Sequence, residues 1–428
     1  MNNNEAWQEL FSRYDILKHI EENGRFEISA DQIKELREPR LMTKFDHRTN
    51  LPELFLKNDL AILPVTRGDY VIAHFDAYHV LEQSSQPITR MAPPDNIQSL
   101  DYNNVPSEAI ALNCALAAGI IADFLGEERI ITTISGRMGT GRFEFNISDT
   151  KNRTLRSVSV SNAQMEIDAA YEGSSCMALF EAKLAKSGIF EDFMSRQLYY
   201  PFRVWRQRIT KPLRPVFFVY SNEIFRLYEY VFEDMNNYSS IKLVRQKNYS
   251  VDDTSITSKD IQDVLRRTVV IPEPHSIPFP QADKFERVIN LCELLNDRDM
   301  DNSEVTEEYV FTPRQTGYYT NSIRYLGLAE KKNDGGKTVY TLTEQGRKIM
   351  SMSYRMRQLS FCEKILSHKA FRETLALHFD RGYMPDTQEI TEIMRDSGLH
   401  GVDSEETFRR RASTIRGWVS WIVTLITE

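Results

Sequence analysis

The sequence is poor in cysteine, has no long apolar run and shows no excess of basic charge. Its four cysteines lie far apart among 428 residues, at Cys114, Cys176, Cys292 and Cys362. This spacing fits neither a disulfide framework nor a zinc site, and it suits a reducing compartment. No stretch approaches the roughly 20 apolar residues that a membrane-spanning helix needs, so we expect no membrane partner.

The amino-terminal residues MNNNEAWQEL lack the basic and apolar segments of a secretory signal. From these absences we expect a cytoplasmic protein. The net charge is −8, from 53 Lys and Arg against 61 Asp and Glu, which argues against indiscriminate binding to polyanions. The basic charge is uneven, however. Residues 193–222 contain no acidic residue and carry Arg196, Arg203, Arg206, Arg208, Lys211 and Arg214.

The length predicts two or three domains, since domains run to about 100–200 residues. We divide the chain into a mixed α+β N-terminal region (1–95), a central α/β domain (96–280) and a C-terminal helical domain (281–428). Within the central domain, residues 235–280 are predicted to be polar loop, with PEPHSIPFPQ (272–281) as a linker.

The N-terminal region is predicted to begin with a helix over residues 6–23 and a second helix capped by Ser29. Two strands, 60–65 and 69–75, follow around a Thr-Arg-Gly turn. Between the second helix and the first strand, REPRLMTKFDHR (37–48) is either a solvated loop or an arm that contacts DNA, because Arg and Lys pair with guanine edges and phosphates. The residues alone leave both interpretations open.

The most informative stretch is EIDAAYEGSSCMALFEAK, residues 166–183. The short apolar run MALF after a Gly-Ser-Ser turn is typical of a buried strand. Because alternate residues of a strand share a face, Glu181 and Lys183 should point the same way, as should Glu166 and Asp168 on the preceding strand. A hairpin at the turn would bring Asp168 beside Glu181.

Two carboxylates and a lysine at one sheet end have a clear chemical use. Carboxylate oxygens bind Mg²⁺, which activates a water and polarises a phosphoryl oxygen. A neighbouring lysine can orient that water and offset the developing negative charge. Acid and lysine two residues apart are also common on exposed strand faces. The apolar strand, the upstream acid and the basic helix downstream favour a site over a solvated face.

Asp168 followed by Glu181-Ala182-Lys183 resembles the D-x(n)-E-x-K signature of the PD-(D/E)XK nucleases. The segment RQLYYPFR (196–203) is similar to one in a group of type II restriction endonucleases. Ile167 stands where the pattern usually has proline. The resemblance implies a mixed sheet flanked by helices, in which Asp168 and Glu181 bind Mg²⁺ and Lys183 positions the attacking water.

Residues 107–125 predict one long buried helix, capped by Ser107 and ended by Gly126. Glu108 in its first turn either complements the helix dipole or, by the resemblance, supplies an auxiliary acid. The glycine-rich segment GRMGTGR (136–142) favours a hairpin turn over a phosphate-binding loop, since no Gly-Lys-Ser/Thr follows.

Residues 189–209 predict a second core helix that Pro201 kinks or divides. Arg196 and Gln197 lie one turn into this helix, and we expect them to reach the scissile phosphate or its water. Arg203, Arg206 and Arg208 are predicted to contact the DNA backbone.

In the C-terminal domain, three helices (285–295, 304–311 and 312–326) precede two strands within 329–343, an order that resembles a winged helix-turn-helix domain. In such domains the third helix enters the major groove. The side chains expected to contact DNA are Arg314, Gln315, Tyr318, Asn321 and Arg324. Winged helices also bind proteins. The last predicted helix (408–425) has a basic face beside an apolar stripe that is either core or a dimer surface.

The sequence therefore predicts a Mg²⁺-dependent type II restriction endonuclease that cuts double-stranded DNA. Enzymes of this kind usually act as homodimers, and we expect the same here. Two alternatives remain: a repair or junction-resolving nuclease with the same core, and a non-catalytic winged-helix DNA-binding protein.

Overall fold

Short helices pack around a small antiparallel sheet in the N-terminal region. The computed structural model describes residues 2–82, 86–94, 96–102, 105–185, 191–252, 255–309, 313–334, 337–402 and 404–427. The first elements are α1 (Asn3–Arg13), α2 (Ile16–Asn23), β1 (Phe26–Ser29), α3 (Ala30–Lys34), α4 (Pro39–Thr43), α5 (Glu53–Lys57), β2 (Ala61–Pro64) and β3 (Asp69–Ala73). The strand order is β1-β3-β2.

The two strands around the Thr-Arg-Gly turn are confirmed, as is the cap of α3, where Ser29 accepts a hydrogen bond from the amide of Gln32. The single helix predicted over residues 6–23 is wrong. Asp15 takes a left-handed conformation, with φ of 46°, and separates α1 from α2.

The central domain is built on a seven-stranded mixed sheet, which confirms the α/β prediction. Two strands that precede the predicted boundary at residue 96, β4 (Tyr78–Val80) and β5 (Ile88–Arg90), pair with strands of this domain. Its other elements are α6 (Glu108–Ala117), α7 (Ile120–Leu125), β6 (Ile131–Gly139), β7 (Arg142–Ser148), β8 (Leu155–Ser161), β9 (Gln164–Glu172), β10 (Met177–Leu184), β11 (Asp192–Met194), α8 (Arg196–Arg206), β12 (Leu213–Ser221), β13 (Ile224–Phe232) and β14 (Ile241–Ser250). The strand order is β5-β14-β13-β12-β10-β9-β6, and only β10–β12 and β14–β5 pair in parallel.

Helices cover both faces of this sheet. Phe180 and Ala182 of β10 share an apolar cluster with α6 and α7, whereas Leu179 packs in the cluster that contains Leu198 and Tyr199 of α8. Strand β10 is therefore buried between two helical layers, as its run of apolar residues predicts.

Two of the predicted core helices differ from the structure. The helix over 107–125 is interrupted at Gly119, whose φ of 75° is left-handed, although Ser107 caps α6 as predicted. The second helix begins only at Arg196, and Pro201 lies inside a continuous helix instead of dividing it. Residues 189 and 190 of that prediction lie outside the described residues.

The segment 136–142 is not a hairpin turn between neighbouring strands. Strand β6 continues to Gly139 and pairs with β9, while β7 and β8 pair with each other in a separate two-stranded sheet.

The prediction of polar loop over residues 235–280 is also wrong. It missed β14 and a helix, α9 (Ser258–Arg267), that Thr257 caps. Both elements are mostly polar: α9 buries only Ile261 and Val264. Residues 272–281 contain no helix or strand, as the linker prediction requires.

The C-terminal domain contains the predicted three helices and strand pair, followed by further helices. Its elements are α10 (Phe285–Asp297), β15 (Met300–Asp301), α11 (Asn302–Tyr309), α12 (Pro313–Tyr325), β16 (Ala329–Asp334), β17 (Lys337–Leu342), α13 (Glu344–Met350), α14 (Tyr354–Leu366), α15 (Lys369–Arg381), α16 (Thr387–Arg395) and α17 (Glu405–Thr424). The predicted turn at 335–336 and the helix boundaries at 310–312 lie outside the described residues. The stripe of Ile415, Trp418 and Ile422 is core, because all three are fully buried within the chain.

Buried hydrogen bonds and an ion pair connect the C-terminal domain to the central sheet. Asn290 of α10 donates hydrogen bonds from Nδ2 to the carbonyl of Ala185 (3.0 Å) and to Oγ of Ser221 (2.8 Å). Beside it, Arg357 and Glu223 form an ion pair of 3.0 Å with both side chains less than 10% exposed. Within the described part of the chain, no helix has the length and apolar character to cross a membrane.

Candidate functional site

The predicted hairpin is present, and it aligns the acids with the lysine. Strands β9 and β10 pair antiparallel with Ala169 opposite Phe180, so Asp168 lies next to the Glu181 end of β10. Asp168 Oδ2 accepts a hydrogen bond of 2.7 Å from the backbone amide of Ala182. The side chain is thereby fixed between Glu181 and Lys183.

A carboxylate from outside the hairpin holds its turn. Glu127, directly after α7, accepts hydrogen bonds from the amides of Ser174 (3.0 Å) and Ser175 (2.9 Å) and from both serine hydroxyls. These bonds lower the pKa of Glu127 to about 2. Gly173 permits the approach, because a Cβ at that position would collide with the Glu127 side chain. These contacts fix the conformation of the turn and thereby the relative positions of β9 and β10.

Glu181 and Lys183 form a buried pair at the end of β10. Lys183 Nζ lies 2.7 Å from Glu181 Oε1, and Nε2 of Gln197 donates to the same oxygen at 2.5 Å. Glu181 is only 6% exposed. Gln197 reaches it because α8 starts beside this end of the sheet.

The electrostatics of the pair are unusual. Burial, together with nearby Asp168 and Asp46, raises the pKa of Glu181 to about 7. Burial also raises the pKa of Asp168 and of Glu108. Burial would lower the pKa of Lys183, but the carboxylates of Glu181 and Asp46 raise it. The ammonium of Lys183 is therefore close to the carboxylates of Glu181, Asp46 and Glu108. This excess of acidic groups favours the binding of a second cation at the site.

Asp168, Glu181 and Lys183 line a cleft of about 660 Å³, and the described residues around it include seven basic and six acidic side chains. Its acidic lining includes Glu108, Glu166, Asp168 and Glu181. The basic side chains that line it are Lys34, Arg40, Lys44, Arg67, Arg137, Lys183 and Arg196. Four of these come from the N-terminal region, so one wall of the cleft belongs to that region. The basic segment 37–48 contains α4, and Arg40 and Lys44 of this segment line the cleft.

Asp46 is a residue of the site that the sequence prediction missed. Its Oδ2 lies 3.5 Å from Lys183 Nζ and 3.9 Å from Lys44 Nζ. Burial opposes ionisation of Asp46, yet the ammonium of Lys183 and its other basic neighbours hold the pKa of Asp46 below its usual value. Nothing local in FDHR marks this acid, since its partner is 137 positions away in the chain.

The residues of α8 and its C-terminal end that were predicted to contact DNA lie in three different environments. Arg196 and Gln197 line the cleft. Arg203 is buried: it is 4% exposed and donates to the hydroxyl of Tyr199 (3.0 Å) and the carbonyl of Met235 (2.8 Å). Its burial and internal bonds favour a structural role for Arg203 over the predicted contact with DNA. Arg206 and Arg208 are exposed near the other end of the helix.

Glu166 lies at the cleft on β9, where its carboxylate pairs with Arg137 of β6 at 3.3 Å. Both side chains are about half exposed, 51% each. Glu166 is thus a solvated strand residue that lines the cleft. Glu181, in contrast, is buried and bonded to Lys183.

Helix α12 presents polar side chains to solvent. Arg314 and Gln315 are exposed, and Tyr318, Asn321 and Arg324 are partly exposed. Arg314 Nε donates to the hydroxyl of Tyr318 at 2.5 Å, and Arg324 donates to Oδ1 of Asn321 at 3.0 Å. None of these five side chains lines the cleft described above. Whatever α12 binds would contact a different surface.

The described residues contain no group of three or more His, Cys, Asp or Glu side chains arranged to hold a metal ion by themselves. A cation in the cleft would therefore need ligands from water or substrate in addition to carboxylates.

Three family models match the chain, each described as a domain of unknown function. Residues 4–72 match DUF6996, residues 73–250 match DUF6997 and residues 287–427 match DUF7226. No curated protein and no solved structure matches the chain.

Proposed function

We propose that this chain is a metal-dependent endonuclease of double-stranded DNA, most similar in its site to type II restriction enzymes. The observation that carries the proposal is the convergence of Asp168, Glu181 and Lys183 in a cleft that basic side chains also line. Basic side chains around a cleft attract the phosphates of nucleic acids, and two acids with a lysine provide the groups for phosphodiester hydrolysis.

The carboxylates fit Mg²⁺. Hydrogen bonds within the described residues engage Oδ2 of Asp168 and Oε1 of Glu181, which leaves Oδ1 and Oε2 to bind a cation. Mg²⁺ is commonly held by one or two carboxylates and completes its shell with waters and substrate phosphate, so a cage of three protein ligands is not required. When bound, Mg²⁺ polarises the phosphoryl oxygen and lowers the pKa of a bound water.

The chain's own residues have separate roles in this proposal. Lys183 holds an N–H donor beside the carboxylates, where it orients the attacking water and offsets negative charge at phosphorus. Gln197 fixes Glu181, and Arg196 lies in the cleft wall, where it can grip a phosphate. The water oxygen bonds to phosphorus as the bond to the 3′ oxygen breaks and that oxygen takes a proton, leaving a 5′-phosphate and a 3′-hydroxyl.

We assign DNA recognition to α12, because its exposed side chains are of the types that contact bases and phosphates. Three helices followed by a strand pair are the arrangement in which a winged helix places its third helix in the major groove. A homodimer would allow both strands to be cut at one site.

The test is cleavage of several unmethylated phage genomic DNAs by the purified protein, with Mg²⁺ and with EDTA. We expect discrete Mg²⁺-dependent fragments from the wild type and none from Glu181→Ala. A smear would indicate a nonspecific or structure-selective nuclease. Intact DNA in every case, with DNA binding that persists in EDTA, would replace the proposal with a non-catalytic DNA-binding protein.

A further inference from the structure

Asp46 brings a carboxylate from the N-terminal region into the site of the central domain. Among the described residues, Glu181 and Asp46 are the two acids within 4 Å of Lys183 Nζ, at 2.7 and 3.5 Å. Asp46 lies in the stretch that matches one family model and Lys183 in the stretch that matches another. The site is therefore composite.

The backbone around Asp46 is fixed to the segment that leads into α8. The amide of Met194 donates to the carbonyl of Asp46 at 2.9 Å, and His47 Nδ1 lies 2.6 Å from the carbonyl of Asp192. On the other side, the hydroxyl of Tyr78 donates to the carbonyl of Phe45 at 3.0 Å. Contacts on both sides fix the segment from Phe45 to His47, from which the Asp46 carboxylate reaches Lys183.

The free oxygen of Asp46 is the second observation. Within the described residues, Oδ1 of Asp46 is buried and has no hydrogen-bond partner, and the same is true of Oε1 of Gln197. A buried acceptor without a donor is costly, and such groups usually receive a hydrogen bond in some state of the protein. Lys183 Nζ, already 3.5 Å from Oδ2, is the nearest ammonium that can supply one.

We propose that Asp46 is a positioning residue. When Glu181 binds the metal, Asp46 replaces Glu181 as the hydrogen-bond acceptor of the Lys183 ammonium. In the described arrangement Lys183 is bonded to Glu181 Oε1, so the ammonium would share this carboxylate with a cation bound through Oε2, and the two positive charges would repel each other. A short movement of Nζ toward Asp46 frees Glu181 and leaves the ammonium held at the site. The inference rests on the proposed nuclease function, and it makes the N-terminal region a part of the catalytic apparatus.

The contact itself is tested without any cleavage measurement. Thermal unfolding is compared for the wild type, Asp46→Asn, Lys183→Met and the double variant. If Asp46 holds Lys183, the Tm change caused by Asp46→Asn is smaller in the Lys183→Met background, because the partner is already absent. Asp69→Asn removes an exposed carboxylate of the same N-terminal region that is bonded to Thr66, and its Tm effect should add to that of Lys183→Met. Additive effects for Asp46 would overturn the proposal.

The role is tested by kinetics on a cleavable duplex. Asp46→Asn should lower kcat by about 10–100-fold, the usual effect of removing a group that orients a site residue, with little change in KM. Asp69→Asn should leave both constants near the wild-type values. Wild-type kcat in Asp46→Asn would overturn the role. If the wild type cuts no DNA while the Tm effects remain non-additive, the nuclease proposal fails and Asp46–Lys183 is a structural contact only.

Discussion

The side chain of Asp168 is hydrogen bonded to the backbone amide of Ala182, the residue between Glu181 and Lys183, at 2.7 Å. This bond fixes the pairing of β9 with β10 at the functional end of the hairpin. A shift of one residue would turn Glu181 and Lys183 toward the apolar layer beneath α6. The acid thus positions the other two side chains as well as lining the cleft with them.

Glu181→Gln should change how stability depends on pH. The carboxyl has a pKa of 4.5 when unfolded and about 7 in the protein, so the folded state binds the proton more tightly. The free energy of unfolding of the wild type should therefore fall as the pH rises from 4.5 through 7, by on the order of 3 kcal/mol. The amide cannot titrate, so Glu181→Gln should lack this decline.

Thermal unfolding at pH 5 and pH 8 checks this prediction. Glu166→Gln is the matched control, since Glu166 is about half exposed on the neighbouring strand, and its pH dependence should follow that of the wild type. An equal decline in Glu181→Gln and wild type would show that Glu181 titrates normally.

Glu127→Gln should destabilise the hairpin turn that carries the site. The folded pKa of Glu127 is about 2, below its usual 4.5, because the two serine hydroxyls and amides bond to its ionised form. Its contribution to stability is complete above pH 4.5 and is lost as the pH falls toward 2. The Tm of Glu127→Gln should lie below that of the wild type at pH 7, and the difference should shrink in acid. Glu128→Gln, at the exposed next position, should show neither effect.

Arg203→Met should destabilise the protein instead of weakening DNA binding. The guanidinium is buried and bonded to Tyr199 and Met235, so its loss leaves acceptors unpaired and should cost roughly 2–4 kcal/mol. Arg206→Met, at an exposed position of the same helix, should change stability by no more than about 0.5 kcal/mol. Urea denaturation of both variants decides the matter, and similar midpoints would contradict the structural role of Arg203.

Arg314→Ala should weaken specific DNA binding by about 1–3 kcal/mol if its side chain reads a base. Fluorescence anisotropy with a duplex that contains the recognition site measures the effect. Arg298→Ala serves as control, because Arg298 is engaged with Glu304 (2.7 Å) and Glu308 (3.2 Å). Unchanged affinity in Arg314→Ala would assign α12 to a structural or protein-binding role.

The hairpin of Asp168, Glu181 and Lys183 could be predicted because its determinants are local. An apolar run, a Gly-Ser-Ser turn and strict alternation are sufficient to place these side chains on paired strands. The three helices and strand pair of the C-terminal domain were predictable for the same reason.

The failures have two physical origins. Local patterns were ambiguous where an element buries few residues, as in α9 with Ile261 and Val264, or where a glycine is compatible with both a helix and a break, as at Gly119. Asp46 illustrates the second origin. Its place beside Lys183 depends on contacts between distant segments, and neither strand alternation nor helix periodicity contains that information.

The buried amide of Asn290 has a mechanical consequence. It is bonded to the carbonyl of Ala185, two positions beyond Lys183 and directly after the last residue of β10. With Ser221 held by the same nitrogen, helix α10 cannot rotate or slide against the sheet unless it breaks these bonds or moves the end of β10 with it. A displacement of α10 along the sheet would therefore also displace the residue that directly follows β10, close to Lys183.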